Sequence, residues 1–299
     1  MIRVLRCSVL LWLLIALNSP LWAQPNLVLP SEPNLAERGS AFYRFTQLDL
    51  QGKEPDQHYR VWVAVPKNPA PPQGYPALYM LDGNAVLTAL DDQMLDDLRS
   101  DALPVLVLVG YPVAARFDVT ARAYDYTPPL PGKLPAAEER DRGRRSGGAD
   151  KFAEFIERRV KPAVQGVVST DPQRQTLWGH SYGGLFGLHS LFTQPGAFQG
   201  YVLADPSLWW QNSAVLANEA GFASPGPARL LMMRGTADHP DKGPPGAHQA
   251  PELARNLAQR LSAQPNLKVE YQELPLSHGE MFKASLLPAL RLAGEEGRL

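Results

Sequence analysis

Apolar runs that alternate with amphipathic stretches are the feature that most constrains this chain. Near-continuous apolar runs occupy residues 77–81, 105–109, 176–178, 201–204 and 230–233. Runs of this length suit strands buried on both faces of a parallel sheet. Between and after them, apolar residues recur with a helical period over 84–98, 149–164, 251–261 and 280–292. Strands alternating with helices predict βαβ units and a mostly parallel, doubly wound α/β sheet.

The first part of the chain has a different pattern. Residues 41–50 and 59–66 alternate apolar and polar side chains, which is typical of an antiparallel pair with one face in water. A more polar strand is expected over 269–274. Neither a repeat nor a linker divides the sequence, so 24–299 is predicted to form a single domain.

The first 23 residues have the pattern of a signal peptide. Arg3 and Arg6 precede an apolar run at 9–17, and Ala23 provides the small residue before the cleavage site. Cleavage would also remove Cys7, the only cysteine, leaving a mature protein without disulfides. The alternative is an N-terminal anchor that is not cleaved.

Composition and residue spacing argue against a nucleic-acid partner and a bound metal. Hydrophobic residues make up 44% of the chain, and 29 basic residues nearly balance 30 acidic ones. That balance does not favour a nucleic-acid partner. The sequence has no metal-ligand spacing, so we predict neither a metal nor another cofactor.

The pentapeptide Gly179-His-Ser-Tyr-Gly183 carries the clearest chemical signal. It matches G-x-S-x-G and lies between the strand predicted at 176–178 and a helix-like stretch at 185–192. A sharp strand-to-helix turn of this kind exposes a nucleophilic serine and points helix amides at the developing oxyanion. The motif predicts the α/β-hydrolase fold with Ser181 as nucleophile.

A serine nucleophile needs a base, which this fold supplies after its last strand. His278 follows the strand predicted at 269–274 and precedes a helix, whereas His58 is too early and His180 and His189 flank the serine itself. His239 and His248 follow the preceding strand. We therefore predict His278 as the base.

The orienting acid is expected between the serine and the histidine in the chain. Asp238, in the loop after 230–233, is our prediction, with Asp241 and Glu252 as competitors. A Ser–His dyad without an acid is the alternative.

The oxyanion donors are expected from two loops. The loop after the third strand contains Gly83 and Asn84, and the amide of one or the other would act with that of Tyr182. A plain Asp-Gly turn at this position is the alternative.

Four segments resemble the Putative esterase family, and most closely its branch of periplasmic esterases of trilactone catecholate siderophores such as enterobactin and salmochelin. They are Tyr79-Met-Leu-Asp-Gly-Asn84, Arg122-Ala-Tyr-Asp-Tyr-Thr-Pro128, Leu177-Trp-Gly-His-Ser-Tyr-Gly-Gly-Leu-Phe186 and His278-Gly-Glu-Met-Phe282. The resemblance implies hydrolysis of the triserine lactone that joins three catechol arms, a periplasmic location, and association with the siderophore uptake machinery. It also implies that Arg122 contacts the substrate.

The long irregular segment at 112–148 is consistent with an anionic substrate such as a ferric catecholate siderophore. It carries six arginines, which are Arg116, Arg122, Arg140, Arg142, Arg144 and Arg145. A cationic rim would steer a trianion, and Trp209 and Trp210 could stack on catechol rings. A solvated arginine loop and two packing tryptophans are the alternative.

Two other functions stay open at this point. One is a general carboxylesterase or acyltransferase for small neutral esters, and the other is a non-catalytic binding module that keeps the hydrolase fold. The presence of both Ser181 and His278 favours an enzyme. The sequence leaves the oligomeric state undetermined.

Overall fold

The computed structural model describes residues 27–28, 32–98, 103–132, 139–140, 143–237 and 250–295. The predicted signal peptide at 1–23 therefore lies outside the described residues.

An eight-stranded mixed sheet forms the centre of the described structure. Its order is β1-β2-β4-β3-β5-β6-β7-β8, with β1–β2 and β2–β4 antiparallel and every other neighbouring pair parallel. The predicted α/β-hydrolase fold, a doubly wound sheet with antiparallel N-terminal strands, is confirmed. The strands are β1 Tyr43–Gln51, β2 His58–Pro66, β3 Tyr75–Leu81, β4 Val105–Gly110, β5 Thr170–His180, β6 Gly200–Ala204, β7 Ala228–Gly235 and β8 Leu267–Leu274.

Helices cover both faces of the sheet. They are α1 Leu35–Arg38, α2 Gly83–Ala89, α3 Asp92–Asp96, α4 Ala121–Asp125, α5 Ala149–Phe155, α6 Lys161–Val167, α7 Tyr182–Thr193, α8 Ala250–Leu261, α9 His278–Ala284 and α10 Leu286–Gly294. A π-helical turn, Ile156–Val160, joins α5 to α6, and a 3-10 helix spans Ala214–Gly221. Within the described residues, no helix combines the length and apolarity that crossing a membrane requires.

Two predicted helices are each divided in the structure. The one expected over 84–98 breaks at Leu90, whose backbone is extended, and restarts where the Asp91 side chain accepts from the Met94 amide at 2.9 Å. The aspartate caps α3 and so favours a new helix over continuation of α2. The helix expected over 280–292 divides at Ser285 into α9 and α10.

Alternating side chains of the central strands fill two hydrophobic clusters, one on each face of the sheet. Along β3, Tyr79 and Leu81 pack on one side while Leu78 and Met80 pack on the other. All seven residues of β3 are buried. Burial on both faces explains why the central strands read as continuous apolar runs in the sequence.

Three neighbouring strands are each followed by a residue with a positive φ angle. Asp82 follows β3 with φ 55°, Ser181 follows β5 with φ 59°, and Asp205 follows β6 with φ 47°. Because β3, β5 and β6 are adjacent and parallel, these three residues meet at one edge of the sheet. Ligands bind at this edge in doubly wound folds.

Candidate active site

Ser181 lies half-buried in the turn between β5 and α7, where the G-x-S-x-G motif predicts the nucleophile. Ser181 has φ 59° and ψ −117°, outside the regions that most residues occupy. A Cβ added at Gly179 would lie 2.3 Å from the carbonyl oxygen of Gly183, so the turn closes only with a glycine at this position. Strain of this kind persists where the surrounding fold imposes it, as at a catalytic serine.

His278 is the first residue of α9 and lies beside the serine. Its Nε2 is 3.0 Å from Ser181 Oγ. Ser277 caps the helix by accepting from the amide of Glu280, whose carboxylate accepts in return from the Ser277 amide. This capping box fixes where α9 begins and therefore where the imidazole stands.

Asp205 is the carboxylate that binds His278. Its Oδ2 lies 2.8 Å from His278 Nδ1, and its side chain is fully buried. Its second oxygen accepts from the guanidinium of Arg234 on β7. Asp205 is held at the end of β6 because its amide donates to the Met233 carbonyl at 2.7 Å.

Among the described residues, Asp205 is therefore the acid that bonds His278, whereas the role of Asp238 stays a prediction. Asp238 and its competitor Asp241 lie outside the described residues, and Glu252 is exposed and paired with Arg255. The physical reason is the strand order: β6 lies directly beside β5, so a residue at its end reaches the imidazole. A carboxylate bonded to His278 Nδ1 also favours a triad over the dyad alternative.

The three side chains form a directional chain of hydrogen bonds. An ionised carboxylate only accepts, so Nδ1 of His278 carries the proton and donates it to Asp205. Nε2 of the neutral imidazole then accepts from the Ser181 hydroxyl. This arrangement prepares the imidazole to take the serine proton.

His180 supports the loop that carries the base. Its Nε2 lies 2.7 Å from the carbonyl oxygen of His278 and donates to it, and the two rings are 4.6 Å apart. Burial holds the pKa of His180 well below its ordinary value, aided by the neighbouring His278 and Arg122. A neutral His180 keeps a second positive charge away from the imidazole of His278.

Two helix N-termini converge where an oxyanion would form. Gly83 begins α2 and Tyr182 begins α7, and the preceding strands β3 and β5 are neighbours. Amides in the first turn of a helix have no intrahelical partner. The Asn84 side chain instead holds the chain after β4: it donates to the carbonyls of Tyr111 and Val113 and accepts from the Tyr111 amide. Only the backbone of Asn84 is thus available as a donor.

Arg122 lies close to the site, but its charge is already paired. It donates to both carboxylate oxygens of Asp82 at 2.9 Å, and the two side chains are 11% and 1% exposed. Burial lowers the pKa of Arg122, but the charge and hydrogen bonds of Asp82 outweigh this and raise it. Arg122 thus anchors the residue that precedes Gly83, and its predicted contact with the substrate stays a prediction.

The two predicted tryptophans differ in position. Trp210 is only 2% exposed and packs in the core, so it cannot stack on a substrate. Trp209 is half-buried, with its ring 6.2 Å from that of Tyr182 beside the nucleophile. The stacking prediction for Trp210 is therefore wrong, while that for Trp209 stays a prediction.

The remaining arginines of the long segment have different surroundings. Arg145 is exposed, pairs with Asp56 and lies over the Tyr124 ring. Arg116 is partly buried near Phe117, and its Nε has no hydrogen-bond partner. Arg142 lies outside the described residues. Over the described part of the chain, no three His, Cys, Asp or Glu side chains group as metal ligands.

Sequence reasoning missed Asp205, Arg234 and the supporting role of His180. One signal was available, since Asp205 directly follows the apolar run at 201–204. An aspartate at the end of a central strand occupies the same edge as the nucleophile.

A serine, an imidazole and a buried carboxylate in one chain of hydrogen bonds, at the carboxyl edge of a doubly wound sheet, define a serine hydrolase. The chain belongs to the Putative esterase family, whose sequence model matches residues 52–291. Its relatives are named as esterases and hydrolases, in agreement with a carboxylic ester hydrolase.

The relatives cover most of the chain. It is 37% identical over 280 residues to the apo-salmochelin esterase of Escherichia coli O6:H1, covering 91% of this chain and 86% of that protein. It is 31% identical to the ferri-bacillibactin esterase BesA of Bacillus subtilis, covering 82% of this chain and 87% of the relative. The solved enterobactin and salmochelin hydrolase IroE is similar with a TM-score of 0.71 and 38% identity, over 88% of this chain and all of that one.

Proposed function

We propose that this protein is a serine esterase that hydrolyses the triserine lactone of ferric enterobactin-type catecholate siderophores and thereby promotes iron release. The observation that carries the proposal is the Ser181–His278–Asp205 hydrogen-bond chain. It stands in a chain whose relatives are named as esterases of salmochelin and bacillibactin.

Acylation uses the three groups in sequence. Ser181 Oγ attacks the carbonyl carbon of a lactone ester while its proton passes to Nε2 of His278. The buried carboxylate of Asp205 stabilises the imidazolium that forms. The ester bond then breaks, and the departing serine alcohol of the substrate takes the proton from Nε2.

Deacylation repeats the same proton movements with water. Water attacks the acyl carbon and gives a proton to Nε2, and Ser181 Oγ takes this proton as it leaves. In both steps we expect the amides of Tyr182 and Gly83, at the N-termini of α7 and α2, to donate to the oxygen that gains charge. These donors belong to the backbone and are fixed before the substrate arrives.

The surroundings suit a large anionic substrate with aromatic arms. A ferric tris-catecholate is a trianion, and Arg116, which is only partly buried, would offer it a positive charge. Trp209 offers a partly exposed indole beside Tyr182 for a catechol ring. Cutting the lactone removes the preorganisation of the chelate, so the ferric ion is held less tightly.

Cell location is a further part of the proposal. The basic and apolar pattern of residues 1–23 supports export to the periplasm after cleavage at Ala23. In that compartment the esterase would work beside the siderophore uptake machinery. N-terminal sequencing of protein from a periplasmic extract should begin at Gln24, whereas an intact N-terminus on membranes would indicate an anchor.

Product analysis tests the function directly. The mature protein is incubated with ferric enterobactin, with iron-free enterobactin and with p-nitrophenyl butyrate, and the products are separated by chromatography. We expect linear fragments from enterobactin and their loss in Ser181→Ala, by about a million-fold in rate. A clear preference for the neutral ester would identify a general esterase, and binding without turnover would identify a non-catalytic module.

A further inference from the structure

A second serine contacts the nucleophile. Ser207 Oγ lies 3.2 Å from Ser181 Oγ, and Ser207 is only 1% exposed. Neither the mechanism above nor the sequence motifs use this hydroxyl.

The segment that carries Ser207 is fixed to the nucleophile turn. The Ser207 amide donates to the Ser181 carbonyl at 3.1 Å, and the Ser181 amide donates to the Ala204 carbonyl at 3.0 Å. A Cβ added at Gly184 would lie 2.9 Å from the Cα of Pro206, so the two backbones are in close contact. The separation of the two hydroxyls is therefore set by main-chain geometry.

The direction of the hydroxyl contact follows from the rest of the chain. Ser181 has one hydroxyl proton and donates it to Nε2 of His278, since Nδ1 carries the imidazole proton toward Asp205. The contact at 3.2 Å is then satisfied only if the Ser207 hydroxyl donates to Ser181 Oγ.

We propose that Ser207 is a catalytic residue that hydrogen-bonds to Ser181 Oγ and assists its departure from the acyl-enzyme. The proposal rests on the proposed esterase function. In the acyl-enzyme, Oγ is the alkyl oxygen of an ester, a poor acceptor. As the C–Oγ bond breaks, Oγ gains negative charge and takes the proton from His278 Nε2. A fixed donor favours that state over the ester.

Acylation gains less from the same contact. Before attack, Oγ is a hydroxyl oxygen and already accepts well from Ser207. Its charge changes little as the proton leaves and the new bond to carbon forms. Differential stabilisation of the transition state, which is what accelerates a step, is therefore concentrated in deacylation.

Rapid quench and intact mass spectrometry with p-nitrophenyl butyrate separate the two steps. In Ser207→Ala we expect the acyl-enzyme to form within about three-fold of the wild-type rate and to decay about ten- to a hundred-fold more slowly, the range for a hydrogen bond to a charged group. Ser207→Cys, nearly isosteric with a weaker donor, should decay at an intermediate rate.

Ser224→Ala is the matched control, because it removes another buried serine hydroxyl, one that donates to the Gly226 carbonyl. It should change neither rate. Equal slowing of both steps in Ser207→Ala and Ser207→Cys, or unchanged decay in both, would overturn the role of Ser207. A wild-type protein that forms no adduct on Ser181 would contradict the esterase function itself. Because p-nitrophenyl butyrate is a neutral ester, this outcome does not depend on whether the enzyme prefers a siderophore.

Discussion

Two buried aspartate–arginine pairs stand on either side of the nucleophile, and they are built alike. Asp82 follows β3 and Asp205 follows β6, both have left-handed backbone, and both are 1% exposed. Arg122 pairs with Asp82, and Arg234 pairs with Asp205. The pairs differ in how the carboxylate oxygens are used.

Arg122 takes both oxygens of Asp82. Arg234 takes one oxygen of Asp205 and leaves the other to His278 Nδ1. A carboxylate with both oxygens occupied by an arginine holds structure, whereas one with a free oxygen can also orient an imidazole. We infer that the Asp205–Arg234 pair serves catalysis and that the Asp82–Arg122 pair supports the oxyanion loop.

Among changes to the two aspartate–arginine pairs, the largest expected effect comes from Asp205→Asn. The amide keeps the shape but no longer stabilises the imidazolium or fixes its tautomer, so kcat should fall about ten-thousand-fold. Turnover of p-nitrophenyl butyrate measures it. Asp238→Asn is the control and should lose less than about five-fold; a reversed order would return the acid role to Asp238.

Arg122→Met should act on stability first. It leaves the Asp82 carboxylate buried without its partner, which costs about 3–5 kcal/mol in the free energy of unfolding. Urea unfolding measures this loss. The double variant Arg122→Met/Asp82→Asn should be less destabilised, since no buried charge is then unpaired.

The same Arg122 variant also tests the substrate role. If the arginine supports the oxyanion loop, kcat/KM should fall by similar factors for ferric enterobactin and for p-nitrophenyl butyrate. A loss confined to the ferric complex would show that Arg122 reads substrate charge.

A third buried aspartate, Asp125, is hydrogen-bonded to tyrosines rather than to an arginine. Asp125 accepts from the hydroxyls of Tyr59 and Tyr111, and burial raises its pKa to about 7 although those bonds oppose the shift. Nearby Asp118 raises the pKa further, and Arg145 lowers it.

The folded protein therefore holds this proton up to about pH 7, whereas the unfolded chain loses it near the ordinary value of 3.8. The contribution of Asp125 to stability is complete below pH 4 and is lost as pH rises to 7. Asp125→Asn should flatten this decline in urea unfolding between pH 4 and 8, and Asp56→Asn, an exposed control, should not. An unchanged slope in Asp125→Asn would mean that Asp125 is ionised when folded.

The smallest effect is expected at Trp209. Its ring neighbours that of Tyr182, and Arg122 lies over the Tyr182 ring. Loss of an aromatic stack in Trp209→Ala should raise KM for ferric enterobactin by about two- to ten-fold. Turnover of the neutral ester should stay within about two-fold. If KM for the ferric complex is unchanged, the indole does not contact a catechol.

Two of the three triad residues could be predicted from the sequence. Ser181 and His278 were predictable because a local turn motif and the order of elements along the chain specify them. Asp205 was not, because loops after β6 and after β7 both satisfy the order serine, acid, histidine. Choosing between them requires the distance from each strand end to the imidazole.

Contacts between side chains that are distant in the sequence could not be predicted either. Arg122 and Asp82 are 40 positions apart, and nothing local in either segment shows that they meet. Trp209 and Trp210 are neighbours of the same type, yet one is partly exposed and the other is in the core. The chemistry of a side chain is readable from sequence, but its partner is not.

The most direct test of the central claim observes the proton between His278 and Asp205. A ¹⁵N–¹H spectrum of protein labelled at histidine should contain a strongly deshielded Nδ1 proton, assigned to His278 by its absence in His278→Gln. We predict that this resonance disappears in Asp205→Asn and persists in Asp238→Asn. Persistence in Asp205→Asn together with loss in Asp238→Asn would contradict the assignment of Asp205 as the triad acid.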